Sequence, residues 1–190
     1  MAKPQFNQEH ILTQASSAFW RFGYHATSMQ HVFAATGLKP GSIYLAFGNK
    51  EGLFKASLDH YTQQSLLRIR NKLSQSPSVE QGIFDVLMEF VNESCQADYC
   101  SCFLVKSQLE LGSHPELLQY VSTRLKQIET LYCEFLQQNH PIEEAQIKAT
   151  SLMLHIFGIR VYGYHSQSKE QILSALESSL PWLPWTKLKH

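Results

Sequence analysis

Charge is scarce in this 190-residue chain: Asp, Glu, Lys and Arg together make up 17% of it, against about a quarter of an ordinary globular protein. With 44% hydrophobic residues, that scarcity excludes a disordered chain and implies large buried or partner-covered areas. The length corresponds to about one large or two small domains. Cysteine is also sparse. The four present, Cys95, Cys100, Cys102 and Cys133, are too few for a disulfide scaffold. No CxxC or HExxH spacing occurs, so reduced thiols, no metal site and no other cofactor are expected. No apolar run approaches the roughly 20 residues of a membrane-crossing helix, and the opening MAKPQFNQEH lacks the apolar core of a secretion signal. A cytoplasmic protein without a membrane partner is the expectation. Alternating strand-like patterns are missing as well, which points to an all-α fold.

Net charge is zero, with 16 basic and 16 acidic residues, but the balance is uneven along the chain. Residues 1–72 carry eight Lys/Arg and three Asp/Glu, whereas residues 73–190 carry eight and thirteen. The N-terminal part is therefore the one suited to a polyanion.

Helical periods organise that part. From Asn7 to Phe22, Ile11, Leu12, Ala15, Phe19 and Phe22 recur at steps of three and four; Asn7 suits the cap and Gly23 the stop. Thr27 and Gln30 fit a capping box opening a short helix with Met29, Val32, Phe33 and Thr36, stopped by Gly37. After Leu38 and Lys39, Pro40 opens a third helix containing Ile43, Tyr44 and Phe47, which ends at Gly48. Two short helices around a three-residue, glycine-containing turn form a helix-turn-helix, whose second helix can enter a DNA major groove. Asn49 caps a longer helix reaching Leu73, and SQSPS marks a boundary. Four or five further helices come after it, separated at 98–101, 112–115, 139–141 and 166–168. The expected organisation is a helix-turn-helix domain at 1–50, a connecting helix at 51–73, and a helical effector-binding and dimerisation domain at 74–190. The tail Pro181-Trp182-Leu183-Pro184-Trp185 breaks helical regularity, and its tryptophans read as packing residues.

The run Thr27-Ser28, Val32, Gly37-Leu38-Lys39-Pro40-Gly41-Ser42-Ile43-Tyr44-Leu45-Ala46-Phe47-Gly48-Asn49-Lys50-Glu51-Gly52-Leu53-Phe54 strongly resembles the operator-binding domain of the TetR family, over about residues 7–55. The remainder resembles that family in its all-helical plan. The resemblance implies a homodimeric bacterial transcriptional regulator, usually a repressor and not an enzyme. Such a regulator binds a pseudo-palindromic operator in double-stranded DNA and is released by a small-molecule effector. Phe33, Thr36 and Lys39 depart from the family's common residues; Lys39 adds a cation where the recognition helix starts.

In that setting Thr27, Ser28, Lys39 and Lys50 occupy helix starts suited to phosphate contacts, and Tyr44 is a further donor. Gly41 and Ser42 permit close approach to bases, while Pro40 and Leu45 offer apolar surface to a thymine methyl. The recognition helix lacks Arg, Asn and Gln, so shape and phosphate positioning are expected to carry much of the recognition. Taken singly, Thr27 and Ser28 are ordinary caps, Tyr44 is a core aromatic and the lysines are solvated; the whole pattern favours DNA. His25 and His31 read as plain polar positions.

An effector pocket needs apolar walls, and Phe84, Met88, Phe103, Tyr120, Met153 and Phe157 have the right character, as ordinary core residues also would. They suggest a mainly apolar effector. A second possibility is a thiol switch: with Ser101 as cap, Cys102 would open a helix and Lys106 would lie one turn on, both favouring the thiolate. Cys102 is equally a small buried hydrophobe. A thiol enzyme or small-molecule carrier is the alternative from another class, although no nucleophile–base pair is readable. By family resemblance, the dimer seam falls on the last two helices, near Ile156, Ile159, Leu173, Leu176 and Leu180, with Gly158 and Gly163 allowing close approach.

Overall fold

The helical periods become nine α-helices among the residues that a computed structural model describes, 8–165 and 169–185. They are α1 (Gln8–Ala26), α2 (Met29–Thr36), α3 (Pro40–Phe47), α4 (Lys50–Gln75), α5 (Val79–Ser94), α6 (Phe103–Glu110), α7 (Pro115–Leu136), α8 (Ile142–Tyr162) and α9 (Lys169–Ser179). A 3₁₀ turn, Leu111–Ser113, lies between α6 and α7. The fold is all-helical, with no strand among the described residues. No helix among them is long and apolar enough to cross a membrane. The expected cap Asn7 and the break at 166–168 lie outside the described residues.

Two compact units share these helices. The first comprises the described residues up to Gln64 together with Cys102–Leu125; the second comprises Ser65–Ser101 and the described residues from Lys126 onward. The linear boundaries read from the sequence do not follow this grouping, because α6 and the start of α7 cluster with the N-terminal helices. Aromatic packing is the reason. Phe54 of α4 is fully buried, with Phe19 of α1 edge-on at 5.1 Å, Tyr24 at 4.8 Å and Phe103 of α6 at 5.7 Å between ring centroids. Tyr61 meets Phe103 at 5.6 Å and Trp20 at 5.8 Å. Asp59 adds a polar tie to α7: it accepts from the Tyr120 hydroxyl at 2.7 Å and from Arg124 Nε at 2.8 Å. Burial, then this bond to Asp59, push the Tyr120 phenol up to about 12.

In the second unit α5 is the buried element, with Ile83, Val86, Leu87, Phe90 and Val91 inside and with α8 and α9 packed on it. Arg160 is buried, yet its charge is met: Nη1 donates to Glu93 at 2.6 Å and the guanidinium lies 4.0 Å from the Phe90 ring centroid. Trp185 folds back on Phe84 at 5.2 Å and donates its indole N–H to the Leu180 carbonyl at 2.8 Å, so this tail tryptophan is core. Trp182 is half-buried beneath the Lys148 ammonium.

Two measurements check these contacts. Phe54→Ala removes the ring shared by α1, α4 and α6 and should cost about 3–5 kcal/mol in chemical denaturation. Burial would raise the Glu80 carboxyl, but its own backbone N–H, Asn139, Ser78 and His140 hold it below the ordinary 4.5. A depressed carboxyl stabilises the fold above about 4.5 and loses that contribution as pH falls through its folded value. Glu80→Gln should therefore flatten the acid limb of thermal stability, lowering stability at pH values above about 4.5 while leaving it close to the parent's at the acid end.

Candidate nucleic-acid interface

The helix-turn-helix forms as its spacing predicts, with a one-residue shift in how it is capped. Ser28 is the N-cap of α2, at φ −83° and ψ 157°: its hydroxyl accepts the His31 N–H at 3.2 Å, and the Ser28 N–H donates to His31 Nδ1 at 3.3 Å. The capping box is thus Ser28/His31 and not Thr27/Gln30. Thr27 is completely buried, and its hydroxyl donates to the Gly23 carbonyl at 2.6 Å and towards that of Ala18 at 3.4 Å. Its side chain is turned inward, so within this chain the hydroxyl serves the turn that follows Gly23. Gly37 closes α2 in the left-handed region at φ 67° and donates to the Phe33 carbonyl. Pro40 then stands in the first turn of α3, where its missing N–H costs nothing.

The two helices present one outward surface. Ile43 of α3 points into the core, whereas Pro40, Gly41, Tyr44 and Leu45 are exposed, Leu45 at 90% and Tyr44 at 44%. Phe33, which departs from the family's usual small residue, supports Tyr44 edge-on at 6.0 Å. Ser42 is half-buried; Ser28, Lys39 and Gly41 are open to solvent. No atom lies within 4 Å of where a Gly41 side chain would begin, which leaves the helix surface low enough for base edges. Lys50 is held in place, donating to the His25 carbonyl at 3.3 Å over the Tyr24 ring at 4.6 Å. Burial lowers its ammonium pKa, while Glu110 acts the other way.

A signal not used in reading the sequence sharpens this surface. Between Glu9 and Glu51 no acidic residue occurs, so the N-termini of α2 and α3, with their outward N–H groups and positive dipole ends, face solvent with no acidic side chain in either helix. Exposed Gln30 and His31 belong to the same surface.

The other expected sites are rearranged by packing. The six pocket residues divide between the units: Phe103 is a fully buried core ring and Tyr120 is bonded to Asp59, both in the first unit, whereas Phe84, Met88, Met153 and Phe157 lie in the second. Phe84 is occupied by Trp185. Cys102, not Ser101, is the N-cap of α6, so the helix begins at Phe103. The Cys102 sulphur accepts from the Tyr61 hydroxyl at 3.4 Å, and Lys106 donates to the Trp20 carbonyl at 2.6 Å. Ile156, Ile159, Leu176 and Leu180 are buried within the chain itself and Leu173 is half-buried. The outward apolar stripe of α8 consists instead of Ile147, Leu154 and Val161, at seven-residue steps and 70%, 69% and 39% exposed. Beside it a groove of about 400 Å³ runs between α8 and α9, lined by Leu154, Gly158, Tyr162, Ile172 and Ala175 among others. Gly163 makes its close approach internally, against Ser94 and Tyr99.

Comparison with known proteins agrees with this geometry. The profile of the family described as "Bacterial regulatory proteins, tetR family" matches residues 11–57. The HTH-type transcriptional repressor ComR of Escherichia coli (strain K12) is 34% identical over 104 residues, 54% of this chain and 50% of ComR. The HTH-type transcriptional repressor BdcR of the same organism is 25% identical over 170 residues, 88% of this chain and 84% of BdcR. The TetR family transcriptional regulator CifR, solved as a cysteine mutant with 26-bp double-strand operator DNA, superposes with a TM-score of 0.79. It is 25% identical, and the match covers 96% of this chain and all of that one.

The packing separates two roles that a substitution pair can distinguish. Ser28→Ala removes a cap and should cost about 1 kcal/mol of stability. Leu45→Ala touches nothing inside and should stay within about 0.5 kcal/mol of the parent.

Proposed function

Because this chain belongs to the TetR family of helix-turn-helix transcriptional regulators, a family of regulators and not of enzymes, we propose that it is a repressor. In this reading it binds a pseudo-palindromic operator as a homodimer and leaves it when a small, mainly apolar effector binds. The observation that carries the proposal is the acid-free outward surface of α2 and α3, with Leu45 and Tyr44 exposed between Ser28 and Lys39. An exposed leucine and proline beside a side-chain-free Gly41 suit thymine methyl groups, while Ser28, Lys39 and Lys50 suit the flanking phosphates. Ser42 and Tyr44 complete the contact set. The functional division keeps DNA binding within 1–50, linkage in 51–73 and effector binding and dimerisation in 74–190.

A two-fold site needs a second copy. The stripe Ile147, Leu154, Val161 and the groove beside it are offered as the seam, with the half-buried Leu173 of α9 near it and Ile156, Ile159, Leu176 and Leu180 supporting it from within. Effector release is supported by the apolar walls that α5 and α8 bring in Phe84, Met88, Met153 and Phe157. A thiol switch at Cys102 is a second reading, favoured by the Tyr61 hydroxyl that donates to the sulphur at 3.4 Å.

Binding to the DNA upstream of its own gene, across a salt series and with reduced and mildly oxidised protein, tests the proposal. Specific binding is expected, with Lys39→Ala, which removes one phosphate contact from each protomer of the dimer, reducing the slope of log affinity against log salt by about 1.8; equal affinity for unrelated DNA would overturn it. Binding lost on oxidation in the parent but kept in Cys102→Ser would favour the thiol reading. Leu154→Glu should yield a monomer in sedimentation and lose operator affinity, and a persisting dimer would exclude this seam.

A further inference from the structure

The last turn of α1 is held from outside the helix. At Gly23 the backbone leaves the helical region, with φ 81° and ψ 170°, and the next two N–H groups are redirected. In an uninterrupted helix Tyr24 and His25 would donate to the carbonyls of Trp20 and Arg21. Here they donate to the two carboxylate oxygens of Glu110, at 2.9 and 2.8 Å. Glu110 is the last residue of α6, where a helix dipole disfavours negative charge, so this carboxylate stands where only a partner justifies it. One turn earlier on the same face of α6, Lys106 donates to the Trp20 carbonyl at 2.6 Å, an acceptor whose usual partner the break has diverted. A side chain at Gly23 would begin 2.6 Å from the Glu110 carboxylate, so the break and the acid fit each other closely.

Directly after this turn comes the DNA-facing machinery. Thr27, whose N–H and hydroxyl both return to the Gly23 carbonyl, adjoins Ser28, the cap of α2. Lys50, the first residue of α4, closes the same turn through the His25 carbonyl. All these groups lie in the first compact unit.

We propose that Glu110 and Lys106 form a splint that sets the direction of α2 and α3, making them positioning residues for operator binding. Neither residue needs to touch DNA. The proposal rests on the DNA-binding reading above.

The test uses the full-length protein with Glu110→Gln and, separately, Lys106→Met. Glutamine keeps the size but offers one acceptor where two N–H groups converge. Thermal unfolding identifies a variant that does not fold, in which case the other carries the test. Amide exchange should show Tyr24 and His25 protected in the parent and accelerated in Glu110→Gln. Equal exchange rates in the two would overturn the splint without reference to DNA. Against the upstream DNA, affinity should fall by about ten-fold or more, the loss expected for a charged hydrogen-bond pair. The salt slope should stay unchanged, because no phosphate contact is removed. A slope reduced by about 1.8, one contact from each protomer, would mean direct phosphate contact, and unchanged affinity would mean that the splint does not position the reading helices; both overturn the proposal. If the parent shows no specific binding, the DNA reading itself fails and the positioning role with it, while the exchange result still decides whether the splint exists.

Discussion

The helix-turn-helix depends on the burial of one ring, Phe54. Because α4 places it where Phe19, Tyr24 and Phe103 converge, α1 and α6 are clamped to the helix next after the recognition helix. A fully buried aromatic side chain contributes about 1.5–3 kcal/mol by removal from water, and edge-on partners add to it. Two eight-residue helices such as α2 and α3 are too short to persist in water by themselves. They exist here because Val32 and Ile43, both almost fully buried, give each helix a tertiary anchor.

Around that apolar centre the polar contacts obey a consistent logic. Helix ends that the core forces together leave backbone groups without helical partners, and side chains of matching hydrogen-bonding capacity meet them. The break in α1 is answered by Glu110 and Lys106, the start of α2 by Ser28 and His31, and the start of α4 by Asn49, whose side-chain oxygen accepts the Gly52 N–H at 2.8 Å. The surface left over is the outward side of α2 and α3, where Tyr44 rests edge-on against Phe33 and Leu45 stands open to solvent. A leucine at 90% exposure contributes little to the fold, which is why its use is sought in a partner.

Much of this was legible in the chain because it is local. Gly37, Pro40, Gly48 and Asn49 act within one or two residues of themselves, so the turn and both helix boundaries could be read directly. The one-residue shift of the cap was not legible, since Thr27 and Ser28 are chemically alike. They differ in that Thr27 has the Gly23 carbonyl beneath it. The roles of the pocket and seam residues were not legible for a related reason. Apolar character at helical spacing states that a residue faces something, without stating whether that is the chain's own core, a ligand or another copy. Phe103 and Ile156 proved to face the core, and Ile147 and Leu154 to face out.

The sequence by itself therefore determined the all-helical class, the helix-turn-helix and its outward chemistry, because helix periods, caps and breakers act over a few residues and leave their mark in order. The tertiary structure alone decided which helices share a core, that α6 splints α1 across 85 residues of chain, and which face of α8 stays open. Those outcomes come from side chains far apart in sequence competing for the same buried volume, and no local pattern encodes the winner.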